Sequence, residues 1–134
     1  MTWNEANTTC SDMGGGLVVP ESLDEHQFIW KMFERNVQDS DVWIGCTDME
    51  EEGKWIQNGG GGQECSFFNW APNEPNQYMG REEDCALMWH ESGGLWNDIE
   101  CFRAAFVICE FSAGPSSALK VLCLQANTNG RFKF

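Results

Sequence analysis

The chain has 134 residues, a formal net charge of -13 at neutral pH, 14 glycines, 7 cysteines and 7 tryptophans. That length makes one domain, with a core small enough for covalent cross-links to matter. The charge repels nucleic acid and anionic membrane surfaces and suits cations, and no run is apolar for long enough to span a bilayer.

Thr2-Trp3-Asn4-Glu5 reads as a capping box opening a helix with Trp3, Ala6 and Cys10 on one face. Asn7-Thr8-Thr9 is a glycosylation acceptor triplet, meaningful only in a secreted protein. Gly14-Gly15-Gly16 ends the helix, and Leu17-Val18-Val19 is a short buried segment stopped by Pro20. Ser22-Leu23-Asp24-Glu25 opens a second helix to about Arg35, with Phe28, Ile29, Met32 and Phe33 as its core stripe and His26 at the surface.

From Val42 the pattern changes to short apolar runs separated by glycine and acidic turns, as in strands. Strands are expected at Val42 to Gly45, Lys54 to Ile56, Cys85 to Trp89, Gly94 to Trp96 and Ala104 to Cys109, with an apolar patch at Phe67 to Trp70 and a polar loop from Ala71 to Arg81. The glycine run after Asn58 lacks the Gly-Lys-Ser/Thr ending of a phosphate loop. Helices first and strands afterwards make the class α+β. Every acidic residue lies at or before Glu110, so residues 1–111 read as the domain and 112–134 as a tail of unrelated composition. Within that tail Ser112 to Ser117 resembles a linker, and the run Leu119 to Leu124 is either an extra strand or the product of a misread gene.

The cysteines form no Cys-x-x-Cys pairs, and His26 and His90 are the only histidines, so disulfides are favoured over zinc. That implies an oxidising compartment: a secreted protein or the ectodomain of a membrane protein. An odd count leaves one thiol over. Met1 is followed at once by Thr-Trp-Asn-Glu with no signal peptide, which leads us to expect a fragment or an incomplete gene product. Enzyme readings fare poorly, because His90-Glu91 lacks a second histidine at helical spacing and no serine stands in a Gly-x-Ser-x-Gly setting.

The strongest chemistry lies in Glu74-Pro75-Asn76, Glu83-Asp84-Cys85 and Trp96-Asn97-Asp98. Calcium takes about 6 to 8 oxygen ligands, and Glu74, Asn76, Glu83, Asn97 and Asp98 offer the carboxylates and carboxamides it prefers. Two vicinal hydroxyls of a sugar can complete the shell, each accepting from a carboxamide NH2 and donating to a carboxylate. Taken singly, Glu-Pro-Asn is an ordinary turn and Trp-Asn-Asp a strand end; their joint occurrence around a cysteine-bounded loop carries the signal. The run Asp48 to Gly53 imitates the start of an EF-hand but has Gly59 at its twelfth position, where a bidentate glutamate is needed. An auxiliary calcium site using Asp48, Glu52 and Asp84 and a solvated acidic turn remain alternatives there.

These motifs, with Trp43-Ile44-Gly45, Glu52-Gly53-x-Trp55, Asn69-Trp70 and Phe106-x-x-Cys109-Glu110, resemble the C-type lectin-like domain from Trp3 to Glu110. The resemblance implies disulfides Cys10–Cys109 and Cys85–Cys101, a cis Pro75, and a principal calcium site of Glu74, Asn76, Glu83, Asn97 and Asp98. Glu74, Asn76, Glu83 and Asn97 would also hold the sugar. Glu-Pro-Asn implies ligands with equatorial vicinal hydroxyls, of the mannose, N-acetylglucosamine or fucose type, on glycans or glycoproteins in settings such as innate immunity or cell adhesion. Single sites of this kind bind weakly, so a multimer would supply avidity. The alternative is a sugar-independent module of the same fold, binding protein or ice. Three departures stand out. Gln77 replaces an aspartate usual at the auxiliary site; the opening strand of the family is missing, which leaves a strand edge exposed; and Cys46 with Cys65 is a candidate third bridge, leaving Cys123 as the odd thiol.

Overall fold

The structure is a computed structural model that describes residues 1–51, 53–57, 63–74, 84–112 and 120–125. Glu52, the glycine turn 58–62, the stretch 75–83 with Pro75, Asn76, Gln77 and Glu83, and the linker residues 113–117 lie outside the described residues.

Helix α1 spans Trp3–Asp12 and begins with the full capping box, Thr2 and Glu5 satisfying each other's backbone N–H. Trp3, Ala6 and Cys10 are its buried face. Strand β1 is Gly16–Leu17, and helix α2 spans Leu23–Asn36, capped by the Ser22 hydroxyl accepting from Glu25 N. The buried stripe of α2 is His26, Ile29, Trp30 and Phe33, which corrects two expectations. His26 is not a surface residue but 3% exposed, and Phe28 is 61% exposed. The spacing 26, 29, 30, 33 is the proper helical period. Histidine's polar type hides its place on that stripe.

Strands β2 Val42–Thr47, β3 Ile56–Gln57, β4 Cys85–Met88 and β5 Trp96–Ile99 form an antiparallel sheet in the order β3-β2-β4-β5. Strand β5 begins where the expected strand Gly94 to Trp96 was to end, because Gly93 and Gly94 take positive φ and turn the chain first. All six residues of β2 are buried, as befits a strand covered on both faces. Trp43 packs with α1, Leu17, Leu87 and Cys109, whereas Val42 and Ile44 pack with Ile29, Trp30 and Phe33 of α2 and with Trp96. Each such buried side chain contributes on the order of 1.5–3 kcal/mol. The indoles keep their polar edges satisfied: Trp3 Nε1 donates to Ile44 O at 2.9 Å and Trp43 Nε1 to Met1 O at 2.8 Å.

A second sheet has the order β1-β6-β7, with β6 Val107–Ser112 and β7 Lys120–Gln125. Of the tail, Lys120–Gln125 thus forms an extra strand, paired along the whole of β6 from Val107↔Gln125 to Ser112↔Lys120. Strand β7 pairs with the β6 edge opposite β1. Its departure from the domain in composition does not keep β7 out of the sheet.

Three disulfides staple these layers. Cys10–Cys109 ties α1 to β6, Cys85–Cys101 ties β4 to the segment after β5, and Cys46–Cys65 joins β2 to the strand-like segment beside β3. The third bridge is as anticipated, and Cys123 is the free cysteine.

Candidate functional site

Trp96 is the point from which the candidate ligands depart. Its N–H donates to Asn69 O at 2.8 Å and its carbonyl accepts from Ala71 N at 2.8 Å, so the segment 69–71 runs parallel to the start of β5. Ala71-Pro72-Asn73-Glu74 then turns, Glu74 N donating to Ala71 O at 3.0 Å. Asn73 has φ 69, and proline followed by a positive-φ asparagine is the pattern of a type II turn. Glu74 leaves this turn half-buried, with its Oε1 shielded from solvent. On the other side of Trp96, Asn97 and Asp98 continue along β5, opposite Leu87 and Ala86 of β4. Strand alternation buries Asp98, 2% exposed, and leaves Asn97 half-buried on the other face. Both runs therefore leave a single hydrogen-bonded node.

The Trp96 indole is itself fixed. Phe67, Phe68 and Trp70 surround it edge-on or nearly so at centroid distances of 5.8, 6.1 and 5.7 Å, and its Nε1 donates to His26 Nδ1 at 3.2 Å. Burial holds the His26 pKa below the usual histidine range.

The auxiliary acids meet through backbone. Asp48 N donates to Asp84 O at 3.0 Å, beside the Thr47↔Cys85 pair. Asp48 is 3% exposed; its Oδ2 accepts from Gly53 N at 2.9 Å, pinning the acidic turn, and its Oδ1 is shielded from solvent. The turn follows strand β2, not a helix, in keeping with its rejection as an EF-hand.

Among the described residues no group of three or more His, Cys, Asp or Glu converges as a metal site. Two of the five principal candidates, Asn76 and Glu83, lie outside the described residues, and Asn97 contributes a carboxamide. The donors that are described, Glu74, Asn97 and Asp98, are all oxygen donors, two of them carboxylates with buried atoms. Hard cations such as calcium take oxygen donors of this kind, carboxylate and carboxamide together. The donor chemistry fits calcium.

His26 and the Asp41–His90 pair escaped the sequence reading. Asp41 Oδ1 accepts from both His90 N and His90 Nδ1, each at 2.7 Å, and this hydrogen bond raises the His90 pKa. Neither pairing has a local signal, since the partners are 70 and 49 positions apart.

The family profile for the lectin C-type domain matches residues 1–111. C-type lectin domain family 3 member A of Bos taurus is 38% identical over 111 residues, covering 82% of this chain. The chain spans about half, 54%, of that relative's length. The mouse scavenger receptor C-type lectin carbohydrate-recognition domain superposes with a TM-score of 0.70 at 31% identity, covering 81% of this chain and 80% of that one. A calcium-independent type II antifreeze protein superposes with a TM-score of 0.68 at 28% identity, covering 81% of this chain and 77% of that one. The matched region stops within β6, so β7 lies beyond it. With its two helices, its antiparallel sheets and its disulfides, this chain belongs to the C-type lectin domain family.

Proposed function

We propose that this carbohydrate-recognition domain binds glycans in a calcium-dependent manner, through sugars of the mannose type with equatorial vicinal hydroxyls. The observation that carries the reading is the Trp96 node, which Glu74 leaves on one side and Asn97 and Asp98 on the other. Calcium would be held by Glu74, Asn76, Glu83, Asn97 and Asp98, where it supplies positive charge and open positions for two hydroxyls. Glu74 and Glu83 accept hydrogen bonds from those hydroxyls, and the Asn76 and Asn97 carboxamides donate to their oxygens. No bond is made or broken. Asp48, Glu52 and Asp84 are proposed for an auxiliary calcium, supported by the Asp48–Asp84 backbone contact. The three disulfides support an extracellular location. Multivalent assembly would raise the avidity of a weak single site.

The test is retention on mannose-agarose with calcium and after excess EDTA, repeated with Asn97→Ala. Calcium-dependent retention that Asn97→Ala abolishes is the expected result; retention that persists in EDTA removes the proposal. A second reading, a sugar-independent module, is favoured by the likeness to a calcium-independent antifreeze protein. A glycan array without calcium-dependent hits, together with thermal hysteresis or a captured protein partner, would select it.

A further inference from the structure

Two short runs of chain share one indole, and the far edge of that indole is held by a side chain from neither run. We infer that His26, acting through Trp96, is a positioning residue for the Glu74 and Asn97–Asp98 runs, and that its neutral Nδ1 makes their arrangement pH-sensitive. This rests on the proposed calcium-dependent function for its binding consequence, though not for its structural one.

The argument begins with the node. Trp96 is fully buried, and its backbone N–H and C=O are both engaged with Asn69 and Ala71. A rotation or shift of the indole therefore moves β5 and the segment leading to Glu74 together. Aromatic rings pack against three sides of the indole but leave it no polar partner; that role falls to His26, one turn into α2, whose own N–H is tied to Ser22 O at 2.9 Å. The hydrogen bond from Trp96 Nε1 to His26 Nδ1 lies in the buried interior. An indole N–H can only donate, so His26 Nδ1 must be the acceptor and carry no proton. The tautomer is thereby settled, with the proton on Nε2.

Protonation of the imidazole places an N–H at Nδ1, where it faces the indole N–H. Two donors then meet in a buried site, and the hydrogen bond is replaced by repulsion. The charged side chains bordering the cavity beside His26 are Lys31 and Glu34, both from α2 itself; Asn69, Gly93 and Leu95, from the segments facing it, carry no charge. Phe67 and Trp96, the rings packed on the imidazole, are also uncharged. Among the described residues, nothing facing the ring from across the interface welcomes an imidazolium. Burial depresses the folded pKa of His26, so the unfolded chain takes up the proton first, near pH 6.5. The stabilisation by neutral His26 is therefore present above about pH 6.5 and is lost as pH falls through the lowered folded value.

The experiment compares the full 134-residue chain, with disulfides formed, with His26→Asn and His26→Leu. Asparagine places Oδ1 where Nδ1 stood and cannot be protonated; leucine fills the space without an acceptor. Two readouts are followed from about pH 7.5 to about pH 5: the indole N–H resonance of Trp96 in calcium-free protein, and the affinity for calcium alone by titration calorimetry. The wild type is expected to show a step in the resonance and a loss of calcium affinity of about tenfold, the effect of one buried hydrogen bond. His26→Asn should abolish both steps while keeping the neutral-pH affinity, and His26→Leu should be weak at every pH with no step. If His26→Asn reproduces the wild-type steps, the inference is overturned. Should no variant bind calcium, the proposed function fails, and the calcium-free resonance decides the matter. A step in the wild type that is absent from His26→Asn then upholds the positioning link; the same behaviour in both refutes it.

Discussion

Gly94 carries its backbone directly against the indole of Trp30: a Cβ at that position would stand 2.5 Å from Trp30 Cδ2. The residue also has φ +95°, a conformation that side chains rarely adopt. Both facts place Gly94 among the supports of the candidate site, because β5 begins two residues later and Trp30 belongs to the core stripe of α2.

Gly94→Ala is accordingly expected to destabilise the fold by about 3 kcal/mol, combining positive-φ strain with overpacking against a buried ring. Chemical denaturation checks the value, and an unchanged midpoint would mean that Trp30 yields freely. Gly93→Ala offers a control, since its φ is +66° and open space surrounds the added methyl group. It should lose less, on the order of 1 kcal/mol.

Ending the chain after Ser112 removes β7 and leaves β6 with an unpaired edge. The shortened protein is expected to self-associate, and light scattering coupled to size exclusion measures it. A monodisperse monomer as stable as the full chain would show that β7 covers nothing of consequence. Cys123 goes with that strand; opposite Cys109 in the ladder, it is the thiol that titration of the full native chain should find.

Asp41 gives a pH dependence opposite in sign to that of His26. Its hydrogen bond raises the His90 pKa, so its stabilising contribution is fully present below about pH 6.5 and fades as pH rises through the raised folded value. Asp41→Asn should bring the His90 titration back towards its ordinary range, followed through the imidazole carbon-bound protons by NMR. An unshifted curve would mean that Glu91 and Asp39, the lesser contributors, hold the charge by themselves. Calcium affinity is not expected to follow this change, because Asp41 and His90 make no hydrogen bond to Trp96, Asn97 or Asp98 among the described residues.

Much of the fold was legible from local chemistry. The Thr2 capping box, the Ser22 cap and the strand at Val42 depend on neighbours within a few positions, and a short window of residues contains all of them. The disulfides Cys10–Cys109 and Cys85–Cys101 came through the family resemblance, and the structure forms both. Helix α2 shows where such reading fails. Its existence is evident from cap and spacing but its orientation is not, because His26 joins the buried stripe by meeting a donor, Trp96, 70 residues away.

By itself the sequence determined the class, the helix starts, the oxygen-donor chemistry of Glu74, Asn97 and Asp98, and an acidic charge suited to cations. Those depend on residue types and on spacing along the chain. The tertiary structure alone decided that Trp96 joins the two runs, that His26 is a neutral acceptor, and that β7 closes the edge of β6. The physical reason is the same for all three. A hydrogen bond or a strand pairing between distant segments is specified by which surfaces meet, and local propensity carries no record of that meeting.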